Sequence, residues 1–264
     1  MQKSDRMMWM NIWTDNVSGR QEMNGSKDLK TIIYFKGVYD TLDLFTDHLI
    51  EAFESMGYGT FVYHTANEEV SKKMLLRLLD ESQEFAVVTF NNLGYNLSFE
   101  QSEAAEDEEK KPEEHNIWNY FHIPYIDILM DHPFHYEKPL CNMPETAVIL
   151  CTDRNHVKYI RRFFKNIHRT DFLPHAGVEL GHKHKPLNDR NIDVLYAGAL
   201  PIYTVAKMIP DLHSIPEVDG EHMMQSVLGE LVQHPEQTTE QAIEAYVKSV
   251  RGDISDERLQ EIIV

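Results

Sequence analysis

The chain has 264 residues, and its 43 aspartates and glutamates outnumber its 25 lysines and arginines, which gives a net charge of −18. This excess argues against a nucleic-acid-binding protein, because a phosphate backbone requires a basic surface. No apolar run approaches the roughly 18 residues that a membrane-spanning helix needs, so the sequence predicts no membrane span.

The cysteines and the N-terminus indicate the compartment. Cys141 and Cys151 are the only two cysteines, and without a secretory signal they favour reduced thiols over a disulfide framework. The apolar patch near the N-terminus is interrupted by Asn11 and followed by Asp15, so it is too short and too polar for a signal peptide. The sequence therefore predicts a cytoplasmic location. Residues 1–30 show no sustained periodicity and are predicted to form an N-terminal arm.

From residue 31 onwards, apolar runs of strand length alternate with segments of helical periodicity. The predicted strands are 31–35, 60–63, 85–90, 125–130, 146–150, 172–174 and 192–196. Helices are predicted at 42–56, 70–79, 118–121 and 157–164. This alternation is typical of right-handed βαβ units, so the sequence predicts an α/β fold with a Rossmann-like parallel β-sheet flanked by helices.

Two segments interrupt or follow this pattern. Eight carboxylates between residues 100 and 114 are opposed only by Lys110 and Lys111, which predicts a solvated acidic loop. After residue 201 the pattern becomes helical, with helices predicted at 223–232, from 238 and at 257–264. The last helix reaches the C-terminus without a cap, as expected either for a chain cut within a helix or for a docked terminal helix. The predicted organisation is an arm at 1–30, a Rossmann-like domain at 31–190, and a linker strand with a helical segment at 191–264.

Several cofactor and catalytic motifs are missing. Only one glycine, Gly37, follows the first strand, so the dinucleotide-binding pattern GxGxxG is absent there. The chain also lacks a P-loop, a GxSxG nucleophile elbow and an HExxH metal motif. The sequence therefore predicts no bound cofactor.

The histidines allow a metal-dependent hydrolase as one hypothesis. His132 lies close to His135 in the sequence, and His175, His182 and His184 follow later. Imidazoles and carboxylates are plausible zinc ligands. The spacing matches no known closed metal site, however, and residues 182–185 are typical of an exposed charged loop.

Asp131 and His132 are the main candidates for proton chemistry. They follow a predicted buried strand, and ligands of α/β proteins bind beyond the carboxyl ends of such strands. Pro133 fixes the backbone directly after the pair. The alternative is structural, with Asp131 capping a turn and His132 packing against the edge of the sheet.

Four segments together indicate a family. In chain order they read IPYIDILMDHPFHY, CTDRNHVKYIRRFF, FLPHAGVEL and NIDVLYAGAL. Over about residues 31 to 200, this resembles the N-terminal half of bacterial glycosyltransferases of the spore-maturation-protein type. These are GT-B enzymes, in which two Rossmann-like domains face each other across a cleft. The N-terminal arm and the acidic loop lie outside the resemblance.

The resemblance implies an acceptor-side domain that binds a glycan or protein acceptor, while a C-terminal domain holds the nucleotide-sugar donor as co-substrate. It implies no catalytic metal. Asp131 or His132 would be the catalytic general base that takes the proton of the acceptor hydroxyl. The residues expected to bind substrate are Gly37, Tyr39, Asn91, Asn92, His135, His175 and Gly177.

The chain departs from the GT-B pattern after residue 200. Only about sixty mostly helical residues follow, without a second run of strands or a glycine-rich phosphate loop. The sequence thus predicts a fragment of a longer transferase that is inactive alone and depends on a donor domain of the same protein. A non-catalytic α/β protein-interaction module remains the alternative, and a metal-dependent hydrolase the second alternative.

Overall fold

A computed structural model describes residues 30–80, 84–101, 113–177, 185–192, 194 and 215–263. The chain divides into two compact units, residues 1–178 and 179–264. The predicted arm at 1–30 lies outside the described residues except for Lys30, and so does the centre of the acidic loop.

The first unit alternates strands and helices. Its elements are β1 (Lys30–Lys36), α1 (Asp40–Ser55), β2 (Gly59–His64), α2 (Glu68–Leu79), β3 (Glu84–Phe90), β4 (Ser98–Gln101), β5 (Glu113–Asn116), α3 (Ile117–Tyr120), β6 (Tyr125–Leu129), α4 (Glu137–Cys141), β7 (Ala147–Cys151), α5 (Arg154–Phe163) and β8 (Arg169–Phe172). A 3₁₀ turn, Pro133–Tyr136, precedes α4.

Six strands form one parallel sheet in the order β2-β1-β3-β6-β7-β8. The prediction of an α/β fold with a Rossmann-like parallel sheet is therefore confirmed. The strand order reverses between β1 and β3. The chain first adds β2 on one side of β1, and all later strands of this sheet lie on the other side. Ligands of open α/β sheets bind beyond the carboxyl ends of the strands, near such a switch point.

The two faces of the sheet carry separate apolar cores. One core contains Trp118, Leu140 and Ile160, so α3, α4 and α5 pack on this face, together with Leu75 of α2. The other contains Leu42 and Phe53 of α1. This distribution follows from right-handed crossovers, since the chain runs towards β2 through α1 and in the opposite direction thereafter.

Two details predicted for this segment were wrong. The helical spacing of Val70, Met74, Leu75, Leu78 and Leu79 predicts one apolar face, and Asn67 is a candidate helix cap. Val70 and Met74 are more than half exposed. Ser71 turns inward instead, because its hydroxyl bonds both the N–H and the C=O of His64, each at 3.1 Å. Asn67 precedes α2 as predicted, but its side chain makes no capping hydrogen bond.

The second unit contains three described α-helices, which confirms the predicted C-terminal helices. It contains α6 (Gly220–Gln233), α7 (Thr239–Val250) and α8 (Asp256–Ile263). Thr238 and Gln241 form a capping box at the start of α7, as the sequence Thr238-Thr239-Glu240-Gln241 predicts. Of the predicted strand 192–196, Ile192 and Val194 are exposed and not in a strand, and the other residues lie outside the described part. No helix among the described residues is long and apolar enough to cross a membrane.

Candidate functional site

The candidate site lies at the carboxyl edge of the parallel sheet, where polar side chains after β3 and β6 meet. Asn91 and Asn92 follow β3 directly, and both adopt left-handed backbone conformations, with φ of 48° and 64°. Such conformations are uncommon for residues other than glycine, although asparagine tolerates them best. Strained backbone of this kind often occurs at ligand sites.

Hydrogen bonds to the neighbouring strand hold this turn in place. The Asn91 N–H donates to the C=O of Ile128 at 3.2 Å, and the Met130 N–H donates to Asn91 Oδ1 at 2.9 Å. Below them, the Tyr125 hydroxyl donates to the C=O of Leu93 at 2.8 Å. The Asn91 side chain is therefore fixed relative to β6, with its Nδ2 left to donate towards the loop after that strand.

Asp131 is the exposed carboxylate of the site. Its Oδ2 accepts hydrogen bonds from Asn91 Nδ2 and from the Tyr136 hydroxyl, each at 3.0 Å. Burial and the hydrogen bond to Asp131 raise the pKa of Tyr136 well above its usual range, so this hydroxyl stays a donor. Among the described residues, none donates a hydrogen bond to Oδ1 of Asp131. One oxygen is thus anchored while the other remains available to a ligand.

Two exposed aromatic residues lie at the same edge of the sheet as this carboxylate. Tyr39 is 62% exposed and Phe134 is 55% exposed. Tyr39 lies after β1 at the start of α1, and it is close enough to Tyr136 to contribute to the rise in the pKa of that phenol. Phe134 belongs to the 3₁₀ turn that follows Asp131. Aromatic faces beside a few fixed polar groups are typical of small-molecule sites.

A second carboxylate, Asp127, lies beneath the site on β6. It is fully buried, and its Oδ1 accepts a hydrogen bond from the Asn92 N–H at 2.9 Å. Within the described residues its Oδ2 has no hydrogen-bond partner, and neither side-chain atom of the buried Asn92 amide has one. Burial raises the pKa of Asp127 to about 7, partly offset by the Asn92 hydrogen bond.

His132 is placed differently from Asp131. Its Nδ1 accepts a hydrogen bond from the Phe134 N–H at 3.1 Å and so caps the 3₁₀ turn. The ring lies 4.6 Å from the His156 ring and 5.0 Å from the Tyr159 ring, between centroids, and therefore packs on α5. Because Nδ1 accepts, it carries no proton in this arrangement. The structural alternative had Asp131 cap a turn and His132 pack on the sheet edge, whereas here His132 caps the turn and packs on α5. The catalytic role of His132 stays a prediction.

The remaining predicted residues are spread along the same edge. Gly37 follows β1 with φ of 99°, and its N–H donates to both oxygens of the Asp43 carboxylate, at 3.0 and 3.1 Å. His135 is exposed beside Phe134. His175 and Gly177 follow β8, which is two strands from β6 and so about 10 Å away. In the described part of the chain, no hydrogen bond or ring contact joins them to Asp131.

Sequence reasoning did not single out Tyr136 or Asp127. Asp127 had a usable signal, because a charged residue inside the apolar run YIDIL is rarely buried without a specific interaction. Tyr136 had none, since only the 3₁₀ turn brings its hydroxyl back to Asp131. Among the described residues, no group of three or more His, Cys, Asp or Glu side chains could hold a metal ion. His182 and His184 lie outside these residues.

Comparison of the chain with protein-family models, curated proteins and solved structures gives no match in any of the three. The fold and the geometry at Asp131 are therefore the basis for assigning a function.

Proposed function

We propose that the first unit is the acceptor-side domain of a GT-B glycosyltransferase, in which Asp131 binds and deprotonates an acceptor hydroxyl. The observation that carries the proposal is the Asn91–Asp131–Tyr136 network. Two neutral donors orient the carboxylate through Oδ2, and no described residue donates a hydrogen bond to Oδ1. A carboxylate held in this way is suited to accept a hydrogen bond from a sugar hydroxyl.

The surroundings support a sugar ligand. Tyr39 and Phe134 are exposed aromatic residues at the edge of the sheet that carries Asp131. Aromatic rings can pack on the apolar face of a sugar ring while polar groups bond its hydroxyls. Asn91 adds an amide whose position is fixed by two hydrogen bonds, from the Met130 N–H and to Asp131. The combination of carboxylate, amide and aromatic rings favours a polyhydroxylated ligand over a purely apolar one.

In the transfer step, Oδ1 of Asp131 would take the hydroxyl proton as the acceptor oxygen bonds to the anomeric carbon of the donor. The nucleoside diphosphate would leave with the electron pair of the broken glycosidic bond. General-base catalysis of this kind contributes about 10²–10⁴-fold to a rate. Asp131 suits this role better than His132, because the His132 Nδ1 is engaged and its ring packs on α5.

Glycan binding by the whole chain tests the proposal. We expect immobilised neutral and acidic oligosaccharides to include at least one ligand that binds more weakly, by roughly tenfold, to the Asp131→Asn variant, because a charged acceptor makes stronger hydrogen bonds than a neutral one. Tyr136→Phe should weaken binding less, because Asn91 still orients the carboxylate. Surface plasmon resonance measures both effects.

The matched control is Asp80→Asn, which removes one exposed carboxylate at the end of α2 and should leave every affinity unchanged. Asn is nearly isosteric with Asp and its oxygen can still accept from Asn91 and Tyr136, so the fold should persist in both variants. If no oligosaccharide binds, or if Asp131→Asn and Asp80→Asn bind the ligand equally well, the proposed function is wrong.

A further inference from the structure

Helix α5 and the loop after it form a basic segment in an acidic protein. Residues 154–169 contain six lysines and arginines and no aspartate or glutamate, whereas the whole chain carries a net charge of −18. Asp153 and Asp171 flank the segment, but each carboxylate accepts a nearby backbone N–H, from Asn155 and Phe172 respectively. The charge of the segment is thus a local feature that the overall composition conceals.

Four of these cations form a stripe along the outer face of α5 and its end, and all four are exposed. Arg154, Lys158 and Arg161 follow one another in the helix at intervals of four and three residues, which places them on one side, about 4.5–6 Å apart along its axis. Lys165 follows the end of the helix, and its Nζ donates to the C=O of Arg161 at 2.8 Å, which holds it next to the other three. The opposite side, with Val157 and Ile160, is buried in the core. We call these four residues the α5 stripe.

The α5 stripe is not explained by the stability of the helix. Like charges at such intervals repel each other, and within the described residues none of the four forms an ion pair with a carboxylate. The helix dipole favours cations in the last turn, which accounts for Arg161, but it disfavours Arg154 in the first turn. An anionic partner outside the described residues would compensate this cost.

Both arginines of the stripe are held in fixed positions. The Arg154 guanidinium lies 4.2 Å from the centroid of the Phe172 ring, and Arg161 Nη2 donates to the C=O of Thr170 at 2.9 Å. Each contact ties the side chain to β8 and leaves other N–H donors of the guanidinium available. Fixed cations lose less conformational entropy when they bind an anion.

The α5 stripe begins next to the candidate site. His156, in the first turns of α5, contacts the ring of His132, and His132 directly follows Asp131. A linear ligand with one hydroxyl at Asp131 could therefore continue along the outer face of α5. Its anionic groups would meet cations at successive turns of the helix.

We propose that the acceptor is an anionic glycan, a polysaccharide with carboxylate or phosphate groups along its length, and that the α5 stripe binds these groups. The proposal rests on the proposed function and names its substrate class. A sparsely charged polymer fits the stripe better than DNA, which carries one charge per roughly 1.7 Å of helix axis. A densely charged polymer would also be repelled more strongly by the net charge of −18.

The test compares polymers and charge variants by isothermal titration calorimetry on the whole chain. Polygalacturonate supplies carboxylates, phosphomannan supplies phosphates, and dextran is the neutral glycan. We expect at least one anionic glycan to bind at least tenfold more tightly than dextran. In the triple variant Arg154→Gln, Lys158→Gln, Lys165→Gln, that affinity should fall by roughly tenfold or more, because three charge contacts are lost. The affinity of this triple variant should also depend less on salt concentration than that of the wild type.

The control variant removes an equal number of positive charges from exposed positions outside the α5 stripe, by the substitutions Lys73→Gln, Arg77→Gln and Lys248→Gln. It should bind the glycan as tightly as the wild type does. All the substituted side chains are exposed, and circular dichroism checks that both variants fold. Equal loss of affinity in both variants, or no loss in the α5 variant, would overturn the inference. So would equally tight binding of oligothymidylate or polyglutamate at the same charge concentration, which would make the stripe a general anion surface.

The two proposals fail in different ways. If glycans bind and depend on Asp131 but not on the α5 stripe, the anionic acceptor is wrong and the proposed function stands. If no glycan binds while polyglutamate binds through the α5 stripe, the proposed function and the inference built on it both fail.

Discussion

Replacing Asp127 by asparagine is expected to make the protein more stable at pH 8, by about 2–4 kcal/mol, and to change its stability little below about pH 4. In the wild type, burial raises the pKa of this carboxyl from 3.8 to about 7. Above pH 7 the folded protein must therefore hold a buried charge, which asparagine does not carry. Urea denaturation at a series of pH values measures the difference in the free energy of unfolding.

The sign of this effect follows from proton uptake. Between about pH 4 and pH 7 the Asp127 carboxyl is ionised in the unfolded chain but protonated in the folded one, so folding binds a proton. The stabilisation is complete below pH 4 and is lost as the pH rises to 7. A shift of about three pKa units corresponds to about 4 kcal/mol.

The Asn92 N–H keeps an acceptor in the Asp127→Asn variant, because the amide oxygen can replace Oδ1. Asp171→Asn is the control, since it removes an exposed aspartate from β8. The difference between the Asp127 variant and the wild type isolates the contribution of this carboxyl from that of every other ionisable group. Parallel pH profiles for the wild type and the Asp127→Asn variant would contradict the prediction.

Replacing Gly94 by alanine is expected to destabilise the first unit by about 3–5 kcal/mol or to prevent its folding. A Cβ at this position would lie 2.1 Å from the ring of Phe35, far inside contact distance, and the φ of 79° already disfavours a side chain. Phe35 cannot move aside easily, because it is buried against the rings of Tyr63 and Trp118. Overpacking and backbone strain each contribute about 1–3 kcal/mol.

Gly57→Ala separates these two causes. Gly57 ends α1 with a φ of 89°, but an added Cβ would meet nothing within 4 Å. This variant should lose only about 1 kcal/mol, from the left-handed backbone alone. Thermal unfolding followed by circular dichroism compares the two. Similar losses in Gly94→Ala and Gly57→Ala would show that Phe35 accommodates the methyl group.

The strands of the main sheet were predictable because buried parallel strands are continuous apolar runs. The runs 31–35 and 85–90 lie wholly within β1 and β3. The β4–β5 hairpin escaped prediction because Glu113 and Glu114 have low strand propensity. Strand pairing and the contacts of the Phe99 ring with Tyr120 and Phe121 hold it instead.

The candidate site was predictable in its position but not in its connections. Asp131, Asn91 and Tyr39 could be placed at the carboxyl edge because each follows a predicted parallel strand. Which of them meet depends on strand order, and the sequence does not give that order. The adjacency of β3 and β6 brings Asn91 to Asp131, although forty residues separate them in the chain.

The sequence by itself determined the class of fold, the edge of the sheet that carries the candidate residues, and the concentration of positive charge in residues 154–169. These depend on hydrophobic periodicity, turn residues and charge, which are local properties of the chain. The tertiary structure decided that Asp131 and His132 make different contacts, that Asp127 is buried, and that the α5 stripe begins beside the candidate site. These depend on which distant residues become neighbours, because burial and hydrogen bonding are set by contacts across strands.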